Sequence, residues 1–360
     1  MDVNEPFRNT ALAARLLREL AANPQPAVIM EICGGQTHSL LASGLDQLLP
    51  LTLELVHGPG CPVCVTPVEM IDKAIHLTEN RQVLFTTFGD MLRVPGSSGD
   101  LLAAKSRGAD VRMLYSPLDA LRLAEQRPDK KVVFWAIGFE TTAPATAMAV
   151  WMAREKKVKN FSLLVSHVLV PPAMRRLLAS PQNRVQAFLA AGHVCAVTGW
   201  QPYQAIAEEF HTPIVVTGFE PVDLLLGLYR AMQLLRTGCG QVANAYGRVV
   251  RRYGNEAALK RIAEVYCPCD RTWRGLGLIP ASGLRLRDEF AEYDAEKIFD
   301  LQSNQAAESG PCISGLILQG LKKPSDCPSF SVDCTPENPL GAPMVSAEGA
   351  CAAYYHYKTR

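Results

Sequence analysis

The sequence predicts an α/β protein, with two related parallel-sheet α/β domains followed by a loop-rich domain that its cysteines hold together. Three observations carry this expectation. Between residues 27 and 235, short apolar runs alternate with amphipathic helical segments. Two of those runs end alike, in Ala136-Ile-Gly-Phe-Glu140 and Val216-Thr-Gly-Phe-Glu220, and each then opens a helix. After residue 238 Gly and Pro become frequent, strands are hard to find, and four cysteines fall within the last 49 residues.

The candidate strands are 27–32, 51–56, 82–86, 110–114, 131–137, 161–165, 193–197 and 213–216. They are rich in Val, Ile, Leu and Phe without strict alternation, as strands buried on both faces are. Between them lie helical segments at 68–78, 117–126, 143–156, 202–210 and 221–235. Strand–helix–strand order calls for parallel sheets covered by helices. Taking the two similar strand ends as marks of two halves gives domains at 23–125 and 126–238. Residues 239–360 form the third, with the amphipathic segment 1–22 packed against it. Such a Gly- and Pro-rich segment buries little apolar surface and needs a staple.

The formal net charge is +1, and Lys and Arg are spread along the chain. That argues against nucleic acid or an anionic membrane surface as a partner. No apolar stretch reaches the roughly 18 residues of a membrane span. The N-terminus interleaves acids and arginines with leucines, unlike a signal peptide. The expectation is a cytoplasmic protein whose thiols stay reduced. Its eleven cysteines then point to metal, cluster or redox work rather than a disulfide framework.

Ligands of open α/β sheets sit at the carboxyl ends of the strands, and the unusual residues cluster there. The first strand runs into Cys33-Gly-Gly-Gln-Thr-His38 and the second into His57-Gly-Pro-Gly-Cys61-Pro-Val-Cys64. The third ends in Thr87-Phe-Gly-Asp90 and the fifth in Gly138-Phe-Glu-Thr-Thr142. Cys61 and Cys64 can close a disulfide or share a metal ion. His38 and His57 can orient or protonate a ligand, or serve as hydrogen-bonded structural histidines. Asp90, Glu140 and Glu220 are candidates for proton transfer, although helix capping explains Gly-Phe-Glu-Thr-Thr equally well. Cys312, Cys327, Cys334 and Cys351 suit either a tetrahedral zinc ion or a cubane iron–sulfur cluster, and their wide gaps do not decide between them. Cys195 reads as core in an apolar strand. Cys239 has no partner in sequence, and Cys267-Pro-Cys269 has no second cysteine pair nearby.

Taken in order, these motifs resemble the HypD family over almost the whole chain. The matching stretches are Glu31-Ile-Cys-Gly-Gly-Gln-Thr-His38, His57-Gly-Pro-Gly-Cys-Pro-Val-Cys64, Phe88-Gly-Asp-Met-Leu-Arg-Val-Pro-Gly96 and Ile137-Gly-Phe-Glu-Thr-Thr-Ala-Pro144. Thr217-Gly-Phe-Glu-Pro221, Trp273-Arg-Gly-Leu-Gly277, Asp326-Cys-Pro-Ser-Phe330, Cys334-Thr-Pro336 and Ser346-Ala-Glu-Gly-Ala-Cys-Ala-Ala353 complete the series. The resemblance implies two α/β domains of related topology and a third, cluster-binding domain. It implies assembly of the Fe(CN)2CO group of [NiFe]-hydrogenases, with HypC as iron-holding partner and HypE as cyanide donor. It makes Cys33, Cys61 and Cys64 the iron-site and redox cysteines; the reading of the strand ends adds His38 and Glu140 as catalytic candidates beside them. Cys312, Cys327, Cys334 and Cys351 become the ligands of a [4Fe–4S] cluster, and the mononuclear iron carrying CN and CO is the group under construction. Two positions depart from the pattern: Ser314 stands where a second cysteine of C-x-C-G is usual, and Pro343 replaces a further cysteine. Cys267-Pro-Cys269 lies outside the family's pattern. A thiol–disulfide oxidoreductase with a structural zinc site is the competing reading.

Overall fold

The computed structural model describes residues 5–22, 24–302 and 310–358. It contains two parallel sheets and one antiparallel pair. The first sheet has five strands in the order β2-β1-β7-β8-β9: β1 is Ala27–Glu31, β2 Leu53–His57, β7 Ala187–Ala191, β8 Ile214–Thr217 and β9 Val242–Asn244. The second has four in the order β4-β3-β5-β6: β3 is Val83–Thr87, β4 Val111–Met113, β5 Lys131–Gly138 and β6 Phe161–His167. The antiparallel pair is β10, Tyr266–Trp273, and β11, Gly277–Leu286. Every strand of the two parallel sheets except β4 and β9 is largely buried, which explains the near-continuous apolar runs.

The chain does not divide near residue 125 as the sequence suggested. β4 precedes that point and β5 follows it, yet both belong to the four-stranded sheet. The chain leaves the five-stranded sheet after β2, builds β3 to β6 elsewhere, and returns with β7. Hydrophobic pattern reveals strands but not their partners, so a nested order is invisible to it. The two Gly-Phe-Glu segments fall at matching places, one after β5 and one after β8, each leading into a helix (Ala143–Glu155 and Pro221–Thr237).

Three further expectations need correction. The strand placed at 193–197 is the helix Gly192–Thr198, and the strand is the preceding Ala187–Ala191. That run is alanine-rich and reads as helix by propensity. Wedged between β1 and β8, however, small side chains are what a central strand can accommodate. β9, β10 and β11 lie in the segment where no strands were expected, with Pro268 and paired glycines Gly275 and Gly277 obscuring the hairpin. Finally, the N-terminal helix Thr10–Ala21 does not lie on the C-terminal segment. Its Leu16 and Leu20 enter the core beside Leu224, Leu225 and Leu228 of the helix Pro221–Thr237. Residues 1–4 of that expectation lie outside the described residues.

The seat of this N-terminal strap is ionic. Asp223 is fully buried, and both of its oxygens accept from Arg248, each at 2.6 Å. The Arg248 guanidinium stacks 3.6 Å from the Phe7 ring centroid and 4.4 Å from that of Tyr246. Removing one partner of a buried pair leaves the other uncompensated. Arg248→Ala leaves the fully buried Asp223 carboxylate uncompensated and should therefore lower unfolding free energy by about 3–5 kcal/mol in urea titration. A loss under about 1 kcal/mol would place this pair among ordinary surface ion pairs.

Candidate functional site

Cys33 follows β1 and stands at the N-cap of the helix Gly34–Ala42, with its thiol buried. Across from it, β2 runs through Gly58 to Gly60, and the Gly34 N–H donates to the Gly60 carbonyl at 3.1 Å. The approach at Gly60 is so close that a Cβ there would lie 1.3 Å from the Ile32 carbonyl oxygen. Only glycine permits the two strand ends to touch. Cys61, the next residue, caps the short helix Pro62–Val65 and forms a disulfide with Cys64. In this oxidised state Cys33 is the one thiol of the three.

Burial and the nearby Glu348 push the Cys33 thiol up to about 12. Its sulfur lies 3.9 Å from Nδ1 of His193, whose own pKa burial lowers to about 4. Sequence reading placed His193 inside a strand and did not single it out. As the second residue after β7, it reaches Cys33 because β7 is the neighbour of β1. The ring packs 5.2 Å from Phe219, the phenylalanine of the second Gly-Phe-Glu. His193 and Glu348 also line a cleft with Gly60, Pro62, Asp90, Gly138 and Thr142. That cleft is built from the carboxyl ends of strands in both parallel sheets. Asp90 accepts from the Ser346 hydroxyl at 2.6 Å, which fastens the C-terminal segment over the cleft.

Four sequence candidates serve other contacts. His57 donates through Nδ1 to the buried Glu31 carboxylate, while Nε2 lies 2.9 Å from the Tyr354 hydroxyl. His38 Nδ1 meets the Ala347 carbonyl at 3.3 Å, and its Nε2 lies 3.2 Å from the Tyr357 hydroxyl. Both histidines thus dock the C-terminal helix Ala350–Lys358 onto the first sheet. Glu140 is turned away from the cleft that its neighbours Phe139, Thr141 and Thr142 line. Its Oε1 accepts from Val170 N–H at 3.1 Å, and it lines a separate apolar groove with Leu169, Pro171 and Tyr266. Glu220 pairs with Arg8 at 2.7 Å.

In the C-terminal segment, Cys312, Cys327, Cys334 and Cys351 line one small cavity, together with Ser314, Ile317, Phe330 and Met344. Burial, then repulsion from the other thiols, pushes Cys351 well above its ordinary value and also raises Cys334. The Leu340 N–H donates to Cys334 Sγ at 3.4 Å. A Cβ at Gly341 would lie 2.4 Å from Cys312 Sγ, so Gly341 makes room for that thiol. Among the described residues no three His, Cys, Asp or Glu side chains converge as ligands of one metal ion would. Cys195 is buried core, though in a helix rather than a strand.

A family model described as "Hydrogenase formation hypA family", for HypD, matches residues 9–358. The chain belongs to the HypD family of hydrogenase maturation factors. It is 47% identical over 348 residues to the hydrogenase maturation factor HypD of Escherichia coli, covering 95% of this chain and 93% of that protein. It is 46% identical over 367 residues to HypD of Rhodobacter capsulatus, covering 98% and 97%. With HypD of Cupriavidus necator it shares 44% over 364 residues, covering 98% and 96%. Among the described residues of this HypD-family chain, no helix is long and apolar enough to cross a membrane.

Glu140 offers a test of its buried position. Burial raises its carboxyl to about 7, and Oε2 has no hydrogen-bond partner. Because the folded pKa exceeds the unfolded one, the carboxyl's contribution is complete below the unfolded pKa and is lost as pH rises through the folded value. Glu140→Gln should remove that loss, leaving the variant more stable than the parent at pH 8 by on the order of 3 kcal/mol. At pH 4 the two should differ little. Urea midpoints at both pH values check this, and an equal difference at each would refute it.

Proposed function

We propose that this protein holds an iron ion while cyanide and carbon monoxide are attached to it, as the Fe(CN)2CO unit destined for a [NiFe]-hydrogenase. One observation carries the reading. The buried Cys33 thiol lies 3.9 Å from His193, which lines the two-sheet cleft, and packs against the backbone that leads into the Cys61–Cys64 disulfide. Iron bearing cyanide and CO is soft, and thiolate is its matching ligand. Cys33 is the iron ligand in this reading. A thiol near 12 keeps its proton until a cation arrives, and binding then releases that proton. His193, 3.9 Å away and lowered to about 4 by burial, can relay that proton to solvent but does not keep it.

Cys61 and Cys64 serve as a two-electron couple: the disulfide gains two electrons and two protons to become the dithiol. HypE is the proposed cyanide donor and HypC the partner completing the iron site. The cleft lined by Asp90, His193 and Glu348 is where a donor's end would enter.

Cys312, Cys327, Cys334 and Cys351 are proposed to hold a [4Fe–4S] cluster. Their chemistry fits it. Four thiols surround one apolar cavity rather than meeting at a point, which suits a core of several atoms over a single zinc ion. Their mutual repulsion as thiolates would be relieved by a cationic core. When bound, such a cluster supplies one-electron chemistry. The chain's own part is to shield that core, with Ile317, Phe330 and Met344 in the cavity wall and the Leu340 N–H on Cys334.

Two measurements separate this from a zinc-stapled oxidoreductase. Anaerobically purified protein should carry about four irons and four sulfides, and Cys327→Ala, Cys334→Ala or Cys351→Ala should abolish the visible absorption and expose the C-terminal segment to protease. Zinc in place of iron, or full absorption in all three variants, would defeat the cluster assignment. For the iron site, Cys33→Ala should erase the infrared bands of iron-bound cyanide and CO in the complex with HypC. Cys61→Ser and Cys64→Ser should still bind HypC while maturation stops. Bands of parental strength in Cys33→Ala would move the ligand role to Cys61 and Cys64.

A further inference from the structure

Cys267 and Cys269 take part in none of the contacts above. They stand two residues apart on β10, so both side chains leave the same face of the strand. Tyr266 and Pro268 leave the other face, where both line the apolar groove beside Glu140. Both thiols are free and partly exposed. The Arg271 guanidinium donates to Cys269 Sγ at 3.7 Å, and Arg285 is the cross-strand partner of Cys267. Two sulfurs and two cations therefore share one side of the hairpin.

We propose that Cys267 and Cys269 form a two-thiolate site for a soft, two-coordinate cation of the Cu(I) class. Strand geometry favours an ion over a disulfide. Residues two apart on a strand have Cα atoms about 6.4–6.8 Å apart, at the upper end of what a disulfide spans and well above its mode of about 5.5–6 Å. Metal–sulfur bonds of about 2.3 Å let an S–metal–S bridge extend to about 4.6 Å, more than twice the S–S bond length of about 2.05 Å. Parallel side chains on one face meet the longer bridge without bending the strand. Pro268 between them fixes its own φ and stiffens the hairpin further.

Coordination number selects the ion. Zinc asks for four ligands, and among the described residues no third His, Cys, Asp or Glu joins the pair. A soft monovalent cation is satisfied by two thiolates. Binding releases one proton from each thiol to solvent and leaves one net negative charge, which Arg271 and Arg285 face. No electron is transferred.

The test is an anaerobic titration of the cluster-loaded full chain with Cu(I), in competition with bicinchoninate. Cys239 is changed to Ser in every sample because its thiol is exposed. The parent should retain one more equivalent of copper than Cys267→Ser/Cys269→Ser. Each single variant should lose more than about 100-fold in affinity, the loss that removing even an outer partner of a metal ligand can cause. Iron content, sulfide content and melting temperature should match the parent in all variants, since neither thiol lines the C-terminal cavity. Equal copper retention in parent and double variant would overturn the proposal. So would a mild thiol oxidant removing two hydrogens from the peptide bearing both cysteines when the parent retains no copper there. That result would make the pair a thiol–disulfide couple.

Discussion

A buried carboxylate organises this molecule. Glu31 ends β1 with no solvent exposure, and an isolated charge there would be expensive. It is paid for by His57 from the end of β2, by the Thr37 hydroxyl at 3.1 Å from the following helix, and through His57 by Tyr354. Those partners come from three parts of the chain. Their convergence fixes the β1–β2 register at Glu31 opposite His57, sets the helix that Cys33 caps, and seats the C-terminal helix. Cys351 is three residues before Tyr354 on that helix, so it lies on the same side one turn earlier. The same small network thus positions the thiol at the sheet edge and one wall of the four-cysteine cavity.

Five of the eleven cysteines show three different environments, and elementary electrostatics separates them. Cys33 and Cys195 are buried with almost no compensating charge, which pushes Cys33 to about 12 and Cys195 higher still. Such thiols are inert until something positive arrives beside them. Cys334 and Cys351 are raised by burial and then by the other thiols beside them. Cys269 is also raised by burial, but Arg271 and Arg285 oppose the shift. The same residue type is therefore set to different tasks by what surrounds it.

The cleft depends on nesting. Because the four-stranded sheet is inserted between β2 and β7, loops following β2, β3, β4, β5 and β7 all open on one space. Asp90 and Ser346 then close it from the C-terminal side. A simple succession of two sheets would leave the two sets of strand ends free to part. Here the chain crosses between them twice, which restricts their relative motion to a hinge about those two connections.

The sequence by itself determined the alternation of strands and helices, the burial of the strands, and the grouping of unusual residues at strand ends. Those properties are local: hydrophobic period, glycine at tight approaches, and cysteine spacing are written along the chain. Cys33, Cys61 and Cys64 could be read as neighbours because they follow adjacent strands. Tertiary structure alone decided which strands pair, and so the nested order, the strand at Ala187–Ala191 and the approach of His193 to Cys33. It also decided that His38 and His57 dock a helix and that Glu140 faces a different groove from Thr142. A side chain's partner lies in whatever the fold brings opposite it, here from 26 residues away for Glu31 and His57 to 319 for His38 and Tyr357. No local pattern carries that distance, because it is set by the packing of the whole chain.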